Sequence, residues 1–207
     1  GTHVLRLTSQ REPLLIESLR FFQTDKVRSY SEVKAEYESR GYEPAAGEIL
    51  VHQAEDMYEK SSRSIYPQND RDSGSTQPQD IFRVKLNSMG GNNWKSAGSW
   101  VTWKLRVENT GLYKIAPRFR QNFYSGTYVS RKLTINGEVP FKEAEQIAFN
   151  YGSDWDCQAI GDDVNGEYLF YFEAGKDYII GMEVVLGEMG ESLSRVDRLV
   201  DDLNVCY

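Results

Sequence analysis

The chain contains 207 residues with a formal net charge of −7, and 40% of the residues are apolar and 27% charged. This length and composition are typical of a globular protein that buries a sizeable core. No run of lysine and arginine exceeds two residues, which argues against a nucleic-acid partner because that function needs a concentrated cationic surface. No apolar run approaches the roughly 20 residues of a membrane-spanning helix, so we expect no direct membrane insertion of this segment.

The two cysteines, Cys157 and Cys206, form no CxxC motif and no cluster with histidine. This pattern argues against zinc binding and redox chemistry, and it predicts no metal or other cofactor. A disulfide between the two cysteines and a pair of free thiols are both compatible with the sequence.

The N-terminal region predicts two strands. The segment "VLRLTS" alternates apolar and polar residues, and "LLIESLRFF" carries a second extended pattern. Residues 1–22 are therefore predicted to form a strand pair, which belongs either to this module or to the end of a preceding sandwich. In the second case the chain would begin inside a longer protein.

A short helix is predicted next, in the segment "SYSEVKAEYESRGY". Ser31 is the predicted N-cap, Val33 and Tyr37 share one helical face, and Gly41 ends the helix. Residues 23–46 are therefore predicted to be a helical connector.

From residue 47 onward the pattern predicts antiparallel strands at roughly ten-residue spacing. In "WVTWKLRV" the alternation places Trp103 toward the core and Trp100 on the opposite face. Asn136-Gly137 is a strong hairpin signal. Residues 47–190 are thus predicted to form a mainly β protein, an antiparallel β-sandwich. Further strands are predicted in "LYKIAPRFR", "RKLTINGEVPF", "YLFYF" and "YIIGMEVVL".

The two ends of this sandwich carry further predictions. A buried first strand is predicted around Ile49–Val51, and His52 lies next to Val51 in this predicted strand. The strand leads into Glu55-Asp56. In residues 191–207 the apolar side chains recur at three- and four-residue steps, which predicts a C-terminal helix cut off by the end of the chain.

The segments "ILVHQAEDMYEKSS", "VKLNSMGGNNWKSAGSWVTWKLRVENTGLYKI", "RFRQN" and "RKLTINGEVPF", in this order, resemble the galactose-binding-like β-sandwich, a jelly roll related to carbohydrate-binding module families 6 and 35. More specifically, the chain resembles the sandwich modules fused to extracellular solute-binding lipoproteins of sugar ABC transporters in Gram-positive bacteria. The likeness covers residues 47–190. It implies carbohydrate binding, contacts with other domains of a parent lipoprotein, and an extracellular location with anchoring through that parent.

The resemblance also implies a structural calcium site near Gln53 and Glu55. The chain departs from the family pattern there, because Gln53 stands where the family has an acidic residue. A predicted helix also replaces the closing strand. The alternative is that Glu55 pairs with an arginine or with backbone amides.

Catalytic patterns are weak in this sequence, and we predict that the chain is not an enzyme. Glu55 and Asp56 are consecutive, so in a strand they point to opposite faces and cannot flank a glycosidic bond together. Asp154 and Asp156 share a spacing that allows a common face, but they lie in a predicted loop. No GxSxG, HExxH or phosphate-binding loop is present.

Sugar binding needs aromatic rings for stacking and planar polar groups for the hydroxyls. The predicted loops "GGNNWKS", "RQNFYSGTY" and "NYGSDWD" combine both. Trp94 and Trp155 are the predicted stacking platforms because turn residues flank them, and the alternative for each is a lid over the end of the sandwich. The candidate ligand-binding residues are Asn93, Trp94, Arg120, Asn122, Tyr124 and Trp155.

A second function is also compatible with the sequence: a structural spacer or interaction module in the same parent protein, without a ligand of its own. The long polar stretch at residues 61–80 fits either function. It is predicted to be an extended loop that either walls a binding cleft or straps the sandwich.

Overall fold

The computed structural model describes residues 17–18, 26–47, 49–71, 74, 76–80, 82–123, 125–187, 190, 195–196 and 199–200. The strand pair predicted at 1–22 and the C-terminal helix predicted at 191–207 lie almost entirely outside these residues. Cys206 lies outside them as well, whereas Cys157 is a free, exposed cysteine. Within the described residues no helix is long and apolar enough to cross a membrane.

The described part of the chain is mainly β, as predicted, with one α-helix, α1 (Tyr30–Ser39), and two short 3-10 helices (Gly91–Asn93 and Lys142–Glu145). The strands are β1 (Glu59–Lys60), β2 (Trp100–Arg106), β3 (Gly111–Tyr113), β4 (Arg118–Phe119), β5 (Tyr128–Ile135), β6 (Ile147–Asn150), β7 (Asp156–Cys157), β8 (Gly161–Asp162), β9 (Gly166–Glu167), β10 (Phe170–Phe172) and β11 (Asp177–Val185).

The predicted helix is confirmed, but its N-cap is Ser29 and not Ser31. The Ser29 side chain accepts from the backbone N–H of Glu32, and the Glu32 side chain accepts from the Ser29 backbone N–H at 2.7 Å. This reciprocal capping box satisfies two backbone donors that helix geometry would otherwise leave free. Gly41 follows the helix at φ +68°, a left-handed conformation that suits glycine.

One layer of the sandwich is a five-stranded sheet in the order β1-β2-β11-β5-β6, and every neighbouring pair is antiparallel. The long strands β2, β11 and β5 form its centre. Because side chains alternate along a strand, Val101, Met182 and Leu133 face the core from three neighbouring strands. The residues that alternate with these three along each strand face outward.

The opposite layer consists of short antiparallel ladders, β3 with β10, β4 with β7 and β8 with β9. Backbone hydrogen bonds connect these ladders, from Ile160 N–H to the Ile115 carbonyl at 2.9 Å and from Tyr168 N–H to the Ile160 carbonyl at 2.8 Å. The fold is therefore an antiparallel β-sandwich. Its core is rich in aromatic rings, among them Phe141, Phe149, Tyr168, Phe170 and Phe172.

Helix α1 is packed into this core. Tyr30 is 1% exposed, with its ring centroid 4.9 Å from that of Phe141 and 4.6 Å from that of Tyr168. Its hydroxyl accepts from the Leu169 backbone N–H at 2.9 Å. These contacts fix the helix to the side of the sandwich.

The predicted first strand at Ile49–Val51 is wrong. Ile49 is 89% exposed and Val51 is 79% exposed, and neither they nor His52 belong to a strand. The edge of β2 is paired instead by β1, where Glu59 lies opposite Thr102. Three consecutive apolar residues without alternation do not fix a strand unless a neighbouring strand offers an edge in register.

Candidate functional site

The outer face of the five-stranded sheet carries an open channel that crosses the strands, with a volume of about 740 Å³. Its floor is one row of small residues, since Gly181 on β11 lies between Thr102 on β2 and Thr134 on β5. We refer to this feature as the transverse channel. Residues two positions away along each strand lie about 7 Å to either side and form its walls.

The first wall consists of Trp100, Glu183 and Lys132, which are register partners on β2, β11 and β5. The second wall consists of Lys104 and Ile179, which are also register partners, and of Asn136. Asn136 is tied to this row because its side-chain oxygen accepts from the Ile179 N–H at 2.8 Å.

The glycine at position 181 keeps the middle of the floor low. A Cβ at this position would overlap the hydroxyl oxygen of Thr134 and lie 3.5 Å from Thr102 Cγ2. Glycine inside a strand is unfavourable by itself, and it commonly marks a place where another group approaches the backbone closely. Glycine at position 181 therefore leaves room for the Thr134 side chain and keeps the floor of the channel low.

Ion pairs hold the charged side chains of both walls in place. Lys104 Nζ lies 2.9 Å from Asp177 Oδ2, and Lys132 pairs with Glu183. The hydrogen bond from Lys104 lowers the pKa of Asp177, and the same bond raises the pKa of Lys104. Both groups are thus charged over the neutral pH range.

Several polar groups of the channel have no partner among the described residues. They are the indole N–H of Trp100, the hydroxyl of Thr134 and the amide NH₂ of Asn136. Tyr58, 52% exposed, adds an aromatic ring at the end of the channel near β1. An aromatic wall beside free hydrogen-bonding groups suits a ligand with both apolar faces and hydroxyls.

A second cluster lies at one end of the sandwich, and we refer to Arg118, Arg120 and Trp155 as the Trp155 rim. The ladder of β4 with β7 places them together, since Phe119 pairs with Asp156. The guanidinium carbons of Arg118 and Arg120 lie 5.1 and 5.2 Å from the Trp155 ring centroid. Both arginines therefore stack on the indole ring as cation–π partners.

The loop at residues 61–80 is pinned to this rim through Asp70, which is 9% exposed. The Trp155 indole N–H donates to Asp70 Oδ2 at 2.7 Å, and Arg120 Nη2 lies 3.4 Å from Asp70 Oδ1. Thr76 donates to the same carboxylate at 3.3 Å. The described part of the loop is thus a strap across the end of the sandwich, and it already uses the polar edge of Trp155.

Of the predicted ligand-binding residues, Arg120, Asn122 and Trp155 lie at this end of the sandwich. The backbone N–H of Gly152 donates to the Gln121 carbonyl at 2.9 Å, which joins the loop of Asn122 to the loop before Trp155. Asn122 is exposed. Tyr124 lies outside the described residues.

Trp94 and Asn93 do not join them. Trp94 is 8% exposed, so the exposed platform predicted for it is wrong. Its ring packs edge-on against Trp103 and is covered by Arg131, whose guanidinium carbon lies 4.7 Å from the ring centroid. Asn93 is half-buried, and its amide donates to the Tyr66 carbonyl at 3.4 Å.

Gln53 and Glu55, where the resemblance implies a calcium site, line one hollow together with Asp56, and the calcium site stays a prediction. Burial raises the pKa of Glu55, and Asp56 is the one other carboxylate in the hollow that they line. Calcium prefers six to eight oxygen ligands. Among the described residues there is no group of three His, Cys, Asp or Glu side chains that could hold a metal ion.

Comparison with known proteins adds little to this geometry. No protein-family model matches the sequence, and no curated protein is similar to it. One solved structure that matches is a Paenibacillus cycloisomaltooligosaccharide glucanotransferase in complex with cycloisomaltoheptaose, at 17% identity and a TM-score of 0.45. The match covers 76% of this chain but 21% of the enzyme's chain, and so weak a likeness carries no argument about function.

Sequence reasoning missed the transverse channel, although two signals of it were present. The alternation in "WVTWKLRV" directs Trp100 away from the core once Trp103 is directed toward it. The glycine inside "YIIGMEVVL" is the second signal, because an interior strand glycine is a candidate for a close approach. Neither signal shows from sequence alone that Thr102, Gly181 and Thr134 share one row.

Proposed function

We propose that this chain is a non-catalytic carbohydrate-binding module and that the transverse channel is its binding site. The observation that carries the proposal is the glycine-floored row between two taller walls, one of which contains Trp100. A pyranose ring presents C–H groups that pack on an indole and hydroxyls that bond to side chains such as Thr134 and Asn136.

The proposal that the site is non-catalytic is supported by two of the three carboxylates that line it. Glycoside hydrolysis needs one carboxyl group with a raised pKa as general acid. Three carboxylates line the channel: Asp177 has a lowered pKa because of Lys104, Glu183 is paired with Lys132, and Glu59 lies at the end formed by β1. The affinity of such an open site is expected to be weak, because sugar hydroxyls exchange bonds to water for bonds to protein at small net gain.

The wider setting is proposed from the family resemblance. In this view the module is extracellular, belongs to a solute-binding lipoprotein of a sugar ABC transporter, and is anchored at the cell surface through that parent. Its partners are a carbohydrate and the other domains of the parent protein.

A spacer or interaction module without a ligand is the second candidate function. The observation that favours it is the strap, because Asp70 holds Trp155 and Arg120 in internal contacts at the end of the sandwich where such modules were expected to bind sugar. In that case the channel would bind no glycan.

A glycan array probed with the full chain, with Trp100→Ala and with Trp155→Ala tests the proposal. We expect a signal from the wild type, a loss of about tenfold for Trp100→Ala because one stacking surface is removed, and no loss for Trp155→Ala. Circular dichroism of each variant checks that the fold is retained. A loss confined to Trp155→Ala would move the site to the rim, and no wild-type signal would favour the spacer function.

A further inference from the structure

A separate cleft of about 850 Å³ runs beside β6, which is an edge strand of the five-stranded sheet. On its inner side β6 pairs with β5. On its outer side no described strand pairs with it, and no further backbone hydrogen bond reaches residues 147–150 from the described part of the chain. An open strand edge inside a cleft is a template for an added strand.

The side chains of β6 alternate as an added strand would require. Ile147 and Phe149 are buried at 6% and 8% exposure, whereas Ala148 and Asn150 are exposed. An incoming extended segment would thus meet a firmly packed strand whose outward side chains are small or polar.

The walls of this cleft are strongly acidic. They carry five carboxylates and one cationic side chain, that of Lys142. The carboxylates are those of Glu143, Glu145, Asp162, Asp163 and Glu167.

Internal contacts already use three of these five carboxylates. Glu143 accepts from the Tyr30 backbone N–H at 2.7 Å, Glu167 pairs with Lys114, and Asp162 accepts from the Tyr168 hydroxyl at 2.6 Å. Glu145 and Asp163 make no side-chain hydrogen bond or ion pair with any described residue. They lie on different elements, the 3-10 helix before β6 and the β8–β9 turn.

We propose that the outer edge of β6 receives an extended segment of a partner protein that carries lysine or arginine. The segment adds a strand to the sheet, and its basic side chains pair with Glu145 and Asp163. A second copy of this chain is a poor occupant, because two such clefts would bring like charges together. This inference uses a different surface from the transverse channel and does not depend on carbohydrate binding.

Three synthetic peptides test the proposal against the full ¹⁵N-labelled chain in NMR titrations. The first is a capped octapeptide of alternating lysine and valine. The second replaces each lysine by glutamate, and the third keeps the lysines but carries an N-methyl group on every backbone nitrogen, which removes the donors of both strand edges without changing the charge. We expect the first peptide to shift the amides of residues 147–150 and to leave Gly181 unshifted, and the other two to bind at least about tenfold more weakly.

Two charge-reversal variants complete the test. Glu145→Lys combined with Asp163→Lys should weaken binding of the lysine peptide by about tenfold or more, because two ion pairs become repulsive contacts. The control is Glu38→Lys on the exposed face of α1, which should leave binding unchanged.

Three outcomes would overturn the proposal. Equal binding of the N-methylated peptide would show that charge attraction alone accounts for the binding. No amide shift at millimolar peptide would mean that the carboxylates keep other strands from pairing with this edge. The third outcome is concentration-dependent dimerisation in sedimentation experiments. If the substitution Ala148→Lys at the edge of β6 removed that dimerisation, the edge would be assigned to a second copy of the chain.

Discussion

Asp70 and Trp155 lie 85 positions apart in the sequence, yet the indole N–H of Trp155 donates to Asp70 Oδ2 at 2.7 Å. The Thr76 hydroxyl donates a hydrogen bond to the same carboxylate, and Arg120 forms an ion pair with it. This buried junction holds the strap of residues 61–80 against the end of the sandwich.

Removing this carboxylate should therefore destabilise the protein. We expect Asp70→Ala to lower the free energy of unfolding by about 3 kcal/mol, because Arg120 and the Trp155 N–H lose a buried acceptor. Urea unfolding followed by tryptophan fluorescence measures the change. Asp154→Ala removes an exposed carboxylate from the loop that precedes Trp155 and should change stability by less than about 0.5 kcal/mol. Equal effects of the two substitutions would contradict the assigned junction.

The second prediction concerns the floor of the transverse channel. Gly181→Ala should lower the free energy of unfolding by about 1–2 kcal/mol, because the new methyl group overlaps the Thr134 hydroxyl. In a Thr134→Ala background the same change should be nearly neutral, since the overlapping atom is gone. A double-mutant cycle in urea measures the coupling, and additive effects would show that the two positions do not meet.

A third prediction tests the start of α1. Ser29→Ala should lower the free energy of unfolding by about 1 kcal/mol, because the capping box with Glu32 is lost. Ser31→Ala is the matched control and should cost clearly less than Ser29→Ala, since Ser31 lies inside the helix and loses only the 2.9 Å hydroxyl contact with Ser29. The reverse order of effects, measured by thermal unfolding, would restore Ser31 as the cap.

Sequence predictions are confirmed where the signal lies within the segment itself. The Asn136-Gly137 turn is confirmed because its signal is local: both residues take positive φ, 53° and 85°, which this pair tolerates well. The strand at Trp100–Arg106 is likewise carried by its own alternation. The cap of α1 was misplaced by two residues because Ser29 and Ser31 both fit the local pattern.

The prediction of an exposed platform at Trp94 is wrong because a distant residue decides the exposure of that ring. Turn residues flank Trp94, but Arg131 of β5 covers its ring, and nothing in the segment "GGNNWKS" reports that partner. Arg120 and Trp155 do meet, although their contact with Asp70 depends on a strap that has no periodicity of its own. The transverse channel depends on the register of three strands, which is a property of the folded sheet.

The fourth prediction concerns alkaline pH. Burial raises the pKa of Tyr168 above its ordinary value of 10.0, and the hydrogen bond to Asp162 raises it further. Above pH 10 the unfolded chain loses this proton while the folded protein retains it, so the free energy of unfolding should fall as the pH rises from 10 upward. Urea unfolding between pH 9 and pH 11 measures the fall.

Tyr168→Phe removes this titration and is the control. The variant should be less stable at neutral pH, because Asp162 loses a hydrogen bond, but its stability should decline less steeply above pH 10. Parallel declines for the two proteins would mean that Tyr168 does not hold its proton in the folded state.

The most direct test of carbohydrate binding in the transverse channel is an NMR titration of the ¹⁵N-labelled chain with a glycan selected from the array. We predict that the largest amide shifts fall on Thr102, Gly181 and Thr134, and that Trp100→Ala raises the glycan concentration needed for them by about tenfold. Shifts confined to residues 118–123 and 151–156, with the channel amides unmoved, would contradict the account.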